Sequence, residues 1–424
     1  MLRRRFIKSA SLSAGAAILS ATQAKAVPAV QNLTQTNDST TLPESLSRAV
    51  TIGNHFVKWQ SPYGSVDPAI CPYRTAGRLA TGIQGLGPGV RALYKLYLKT
   101  SNPTYRAAAD RYASYVMGIV VDPPTPYGNK FVEEGHPYTS LSAAWMYGKA
   151  LSPCFEWFVR INPQEGAYDQ KAFAMYRWLQ RHRRNDSYFG VGYPAGKYPD
   201  AQFSCDLGEV GTGLMGLYRT TKYRPALEDA IGLSKFFLTD YREGTGEGVW
   251  SPKLGVWLVG PWPGSEAEHF TTQQYNTTGW VWSAFVDSEF LLGLRKEVSD
   301  PTLIGRIDEK CTRAFRWCID ACQFEDGAIG MFGRDDKWVG LTAAVISLYE
   351  MLKSSGSLSE EIDNAYRAKV MNAWKWLLAH TLPETYPKDG YIRVTGKTTT
   401  KPPENLMWLM AWTMEALLDT PETL

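Results

Sequence analysis

The sequence predicts an all-α chain of twelve amphipathic helices, taken in pairs as six hairpins that close into a ring. Three observations carry this. Apolar residues recur at helical spacing in about twelve segments of the 424-residue chain. The connections between those segments alternate between short turns and long loops. A weak repeat runs in step with them: Tyr105-Arg106-Ala107-Ala108, Tyr223-Arg224-Pro225-Ala226 and Tyr366-Arg367-Ala368 each stand early in the helix after a short turn. Leu93-Tyr94, Leu217-Tyr218 and Leu348-Tyr349 stand in the helix before that turn.

Residues 1–26 read as an address. Arg3-Arg4-Arg5-Phe6-Ile7-Lys8 has the twin-arginine pattern, a mildly apolar stretch follows, and Ala24-Lys25-Ala26 is the small-x-small pattern of a signal peptidase site. The apolar stretch is too short to span a bilayer. The expected location is therefore periplasmic or secreted, with no membrane attachment after cleavage. Five of the 45 basic residues lie in this leader, which leaves 40 against 42 acidic residues, a net charge of about −2. No bulk attraction to nucleic acid follows. Residues 27–42 are polar and Thr/Asn/Gln-rich, a flexible linker, and 43–424 carry no further linker signal and read as one domain.

Helices are expected at 43–60, 86–100, 103–119, 138–160, 163–183, 205–221, 223–240, 271–297, 301–322, 338–355, 359–381 and 403–418. Asn102-Pro103, Asn162-Pro163 and Asp300-Pro301 each set a capping side chain before a proline at the first helical position. Ser357-Leu358-Ser359-Glu360 offers a capping box. The long loops 61–85, 120–137, 184–204, 241–270, 323–337 and 382–402 all lead into even-numbered helices. A hairpin period of about 64 residues brings them out at one end. The even-numbered helices are richer in small and apolar residues, as in Gly211-Thr212-Gly213-Leu214-Met215-Gly216, which places them in an inner circle. Cys311, Cys318 and Cys322 fall on one face of a helix, where buried thiols belong, and the six cysteines lack zinc-site spacing.

With this helix count, loop alternation and aromatic-rich long loops, residues 43–424 resemble the (α/α)6 toroid of the six-hairpin glycosidase and polysaccharide lyase superfamily. They are broadly similar to unsaturated-uronyl hydrolases and glucuronidases. The resemblance implies a carbohydrate site where the long loops meet. It leaves the chemistry open.

The loops supply what such a site needs. Tyr188, Trp250, Trp262 and Tyr275 offer flat rings for the C–H face of a pyranose, and Arg74, Glu209, His269 and Gln274 offer partners for hydroxyls. Glycoside hydrolysis needs two carboxyls, one able to donate a proton. Glu134, Asp206, Asp335 and Asp336 are the candidates, each at or just before an inner helix, where a cap or first-turn acid would serve equally well. Arg334, Lys337 and Trp338 flank the aspartate pair. With Arg74, Arg78, Lys130, Lys388, Arg393 and Lys397, these cations motivate a uronic-acid-containing substrate. By resemblance, an alternative is a lyase that eliminates across a uronate with His136 or Tyr275 as base. A non-catalytic glycan-binding protein would use the same cleft. His55, His182 and His380 fall on outer helices, as surface or packing residues. No P-loop, dinucleotide fingerprint or HExxH motif is present, so no cofactor is expected, and the acidic loops leave room for structural calcium.

Overall fold

A computed structural model describes residues 42–62, 64, 66–67, 83–119, 144–164, 168–185, 188–189, 203–242, 248–259, 278–382, 393–394 and 407–421. Leu42–Leu424 forms one compact unit. Its helical segments are α1 (Glu44–Lys58), α2 (Ile83–Thr100), α3 (Pro103–Ile119), α4, α5 (Asp169–Arg181), α6 (Ser204–Thr221), α7 (Arg224–Leu238), α8 (Val281–Arg295), α9 (Pro301–Cys322), α10 (Val339–Ser355), α11 (Glu360–Ala379) and α12 (Met407–Asp419). Segment α4 runs Ala144–Lys149, widens into a π-helical Ala150–Glu156, and finishes as Trp157–Ile161. Pro153 lies inside the widened part, where its missing N–H breaks the ordinary α ladder.

The even-numbered helices pack in a closed circuit, α2 on α4, α4 on α6, α6 on α8, α8 on α10, α10 on α12, and α12 back on α2. Each odd-numbered helix lies outside: α3 on α2, α5 on α4, α7 on α6, α9 on α8, α11 on α10, and α1 on α12 and α2. This is the (α/α)6 toroid. Burial follows the layers, and α12 is buried without a break from Met407 to Leu418.

Glycine lets the inner helices approach closely. A Cβ on Gly213 would lie 2.5 Å from the Gly148 Cα, and one on Gly148 would lie 2.0 Å from the Glu209 carbonyl oxygen, so α4 and α6 touch backbone to backbone. On the other side of α6, Gly208 makes room for the Asp287 carboxyl and Gly211 for the Phe290 ring.

The repeated tyrosines latch inner helices to outer ones. Tyr94 of α2 donates to Asp110 of α3 at 2.6 Å, and Tyr349 of α10 donates to Asp363 of α11. Asn102 and Asp300 cap their helices as expected, accepting from the N–H groups of Thr104 (3.0 Å) and Thr302 (2.9 Å). Two starts differ. Asn162 closes α4 rather than opening α5, because its side chain is held by Asp110 and Arg106 of α3, and α5 begins at Asp169. The cap of α11 is Ser359, which accepts from Ile362 N–H, in place of a box with Glu360.

Short antiparallel pairs decorate the loops: Arg183–Asn185 (β1) with Tyr188–Phe189 (β2), Trp250–Ser251 (β3) with Val256–Trp257 (β4), and Lys337–Trp338 (β5) with Arg393–Val394 (β6). The last of these ties the fifth long loop to the sixth. Cys311, Cys318 and Cys322 are fully buried along α9, and His55, His182 and His380 each lie against the tryptophan four residues away.

Candidate active site

The inner helices begin where the long loops end, so their first turns form the floor of a mouth. Trp145 of α4, Trp280 and Trp282 at the start of α8, Trp338 before α10 and Trp408 of α12 all stand there. Trp282 stacks on Trp408 with centroids 4.1 Å apart, although α8 and α12 are two places apart in the ring. Trp412 and Phe285 extend this patch, with Trp412 4.7 Å from each of Trp408 and Phe285. Trp280 continues it to Phe203 and, stacked, to Phe332 of the fifth long loop. The indole N–H groups of Trp145, Trp280, Trp282 and Trp408 are buried and donate to no acceptor among the described residues. Of these rings Trp282 is part-exposed, and its flat face suits the C–H face of a sugar.

Two turns below this floor is a layer of ion pairs. Glu289 and Glu415 follow Trp282 and Trp408 by seven residues, so they share the same helix faces. Arg91 of α2 binds both, and Lys95 binds Glu415 and Asp419. Because α2 and α8 lie opposite each other in the ring, Arg91 crosses its axis.

Between floor and ion layer stand the buried acids of α6. Asp206 occupies the third position of the helix, and the Phe203 N–H donates to its Oδ2 at 3.4 Å. Burial pushes its carboxyl up to about 8; the Phe203 N–H and Lys149 pull the other way, and Glu209 adds to the rise. Asp206 therefore holds its proton to a higher pH than an exposed aspartate does. Glu209, one turn on, is ion-paired with the buried Lys149 of α4. Its carboxyl is also raised, by burial first, with Lys149 opposing. Asp287 of α8 lies fully buried against Gly208, and neither of its oxygens has a well-formed hydrogen bond among the described residues. Burial raises the Asp287 carboxyl well above the carboxylate range, against the pull of the nearby Ser204 hydroxyl, which also lies 2.7 Å from Ser283, and Glu209 and Asp206 add to the rise.

The fifth long loop divides its charges differently from the sequence reading. Arg334 donates to the carbonyls of Gln323 (2.7 Å) and Asp320 (3.3 Å), closing the end of α9. Lys337 pairs with Asp326. Asp335 is exposed and accepts from Met331 N–H at 2.8 Å, whereas Asp336 is buried. Neither aspartate caps α10, whose N-cap is Trp338. The loop reaches the floor through Val281 N–H, which donates to Met331 O at 3.0 Å at the start of α8.

Trp250 sits elsewhere. It is fully buried in the β3–β4 hairpin against Trp257, beneath Lys310 and Arg313 of outer helix α9. A ring enclosed there has no face for a sugar at the mouth. Tyr188 is described as backbone in β2 alone, and Arg74, Glu134, His136, Trp262, His269, Gln274 and Tyr275 lie outside the described residues. Sequence reasoning missed Arg91, Lys149, Asp287, Trp282 and Trp408. The seven-residue spacing of Trp282/Glu289 and Trp408/Glu415 was the signal available for two of them. Among the described residues no group of His, Cys, Asp and Glu could hold a metal ion, and no helix is long and apolar enough to cross a membrane.

No protein-family model matches the chain, and no curated protein matches it in sequence. Solved structures do. A cellobiose 2-epimerase from Bacillus thermoamylovorans superposes with a TM-score of 0.61 at 10% identity, over 88% of this chain and 98% of that one. A glycosyl hydrolase family 88 protein from Bacteroides vulgatus gives 0.58 at 12% identity, over 88% and 97%. A polysaccharide lyase gives 0.58 at 12% identity, over 88% and 96%. The chain thus shares the toroid fold expected of the six-hairpin superfamily, and at these identities the likeness speaks for the fold alone.

Proposed function

We propose that the chain is an exported carbohydrate-active enzyme, a glycoside hydrolase that acts on uronic-acid-containing oligo- or polysaccharide with Asp206 as proton donor. The observation that carries this is the burial of the Asp206 carboxyl in the first turn of α6, next to the Phe203–Trp280 contact of the aromatic floor, which raises its pKa to about 8. In the reaction Asp206 gives its proton to the glycosidic oxygen as the bond to the anomeric carbon breaks. A second carboxylate, drawn from Asp336 and Glu134, takes a proton from the attacking water or adds to the anomeric carbon directly. Glu209, paired with Lys149, keeps negative charge next to Asp206 and so favours its protonated form. Trp282, the part-exposed ring of the floor, carries the sugar ring, and Trp408 backs it from beneath. The acidic-sugar component rests on the loop cations Arg74, Arg78, Lys130, Lys388, Arg393 and Lys397, since Arg334 and Lys337 are committed within the protein.

Export in the folded state rests on the twin-arginine leader, and five buried cysteines without disulfides are compatible with it. A panel of neutral and acidic glycans, read both for new reducing ends and for ultraviolet absorbance, tests the reading. Hydrolysis releases reducing ends without absorbance. Absorbance growing with turnover means elimination, and a lyase with His136 or Tyr275 as base would then replace the hydrolase. Loss of turnover in Asp206→Asn with unchanged melting is the expected result, and full activity in that variant would remove Asp206 from the mechanism.

A further inference from the structure

Outside the ring, the hairpin β3–β4 and helix α9 enclose two adjoining clefts. One, of about 410 Å³, is lined by Asp240, Arg242, Arg306, Glu309, Lys310 and Arg313, with Trp250 behind them. The other, of about 380 Å³, lies on the far side of Arg313 and adds Arg316 and Asp320. Arg306, Lys310, Arg313 and Arg316 follow one another at spacings of four, three and three, which puts them on one face of α9 over about 15 Å.

The charges there do not balance. Arg306 and Arg316 donate to neutral acceptors, the Leu238 carbonyl at 2.6 Å and the Tyr366 hydroxyl at 3.2 Å. Asp320 faces Lys369 of α11 at 2.8 Å. Lys310 and Arg313 meet Asp240 and Glu309, each at 3.2 Å, but these two acids are 59% and 58% exposed. Surface pairs of that kind are worth about 1 kcal/mol or less and exchange readily for another anion. The Lys310 ammonium is itself buried, 4.4 Å over the Trp250 ring. Burial lowers its pKa, and Arg306 lowers it further, against the pull of Asp240 and Glu309. The two linings together bring five cations, Arg242, Arg306, Lys310, Arg313 and Arg316, against three acids, Asp240, Glu309 and Asp320.

We propose that this face of α9 is a second carbohydrate-binding surface, which takes a stretch of acidic polysaccharide along the row from Arg306 to Arg316 while the mouth works on another part of the chain. Its ligand class rests on the acidic-glycan reading above, and its position is independent of the mouth. Trp250 serves here as the buried plate that holds Lys310 and Arg313 in place.

Affinity electrophoresis of the full chain through gels containing polygalacturonate or dextran separates the two sites. Native protein is retarded by polygalacturonate, not by dextran, and the retardation fades as salt is added. The triple variant Arg306→Gln/Arg313→Gln/Arg316→Gln, with native melting, binds about tenfold more weakly and keeps its turnover of short oligosaccharides. Glu309→Gln, which removes an acid from the cleft, binds more tightly. Equal retardation of native and triple variant, or no change in Glu309→Gln, overturns the proposal. Retardation without turnover of any glycan would instead leave the surface standing and remove the hydrolase reading.

Discussion

Arg91 of α2 reaches across the ring to Glu289 of α8, the helix opposite, and also holds Glu415 of the neighbouring α12. The three side chains close the axis two turns beneath the aromatic floor, so the toroid is a cup and not a tunnel. Arg91→Met would leave the part-buried Glu289 without its cation and Glu415 with Lys95 alone, a loss of up to about 3–5 kcal/mol, read as a fall in melting temperature at pH 7. Burial alone would raise the Glu415 carboxyl, but Arg91 and Lys95 outweigh it and hold it below its ordinary value. Such a group contributes stability above the unfolded carboxylate pKa and loses it as pH falls through the folded one. The variant's deficit is therefore largest at neutral pH and narrows in acid. A deficit that does not change with pH would mean that the pairs contribute little.

Asp287 and Asp206 give the opposite sign. Their folded pKa values lie above those of the unfolded chain, by burial in each case. The folded state then binds more protons than the unfolded one between the two values, and stability falls as pH rises above about 4. Asp287→Asn, which cannot ionise, is expected to melt higher than native at pH 8, with the gain vanishing toward pH 4. Thermal melts across that range check this, and a variant less stable at every pH would show that the acid form makes a contact the amide cannot. In the same window, turnover by Asp206 as donor should decline along an alkaline limb near 8.

The layers were legible in the sequence, because helical periodicity and loop length follow from local chemistry that acts over a few residues. The inner-helix assignment of Gly211–Gly216 holds for the same reason: only small residues permit the α4–α6 contact. The buried face of Cys311, Cys318 and Cys322 follows from helical spacing too. What the sequence could not give was which charges meet. Arg334 looked like an anion binder beside Asp335, yet the open carbonyls at the end of α9 lie closer. Trp250 looked like a sugar platform, yet the hairpin turns it outward onto α9. Lys149 and Glu209 are sixty residues apart and meet only when the ring closes.

Glycine packing offers a paired test. Gly213→Ala puts a methyl 2.5 Å from the Gly148 Cα, where only backbone can yield, and should cost about 1–3 kcal/mol. Gly305→Ala on α9 has nothing within 4 Å and should stabilise by about 0.4–1 kcal/mol through helix propensity and a less flexible unfolded chain. Denaturant melts of both variants, with unchanged slopes, measure the two effects. Equal effects would mean that α4 and α6 are not in backbone contact.

The floor itself can be divided into its ring and its donor. Trp282 is half-buried, so part of its indole is open while the ring stacks on Trp408. Trp282→Phe keeps a ring on Trp408 and removes the unused N–H. Because that N–H is buried away from the mouth, the substitution should move KM by less than about threefold, about 0.7 kcal/mol. Trp282→Ala removes the platform as well and should lower kcat/KM by a further order of magnitude, about 1.4 kcal/mol. Trp412→Ala removes a ring from the buried end of the same patch, where only 2% is exposed. It should appear as lost stability of about 3–5 kcal/mol without a selective effect on KM. Steady-state kinetics and melting on the three variants separate a binding surface from a core. Identical loss of stability in all three, with KM unmoved, would return the patch to packing alone.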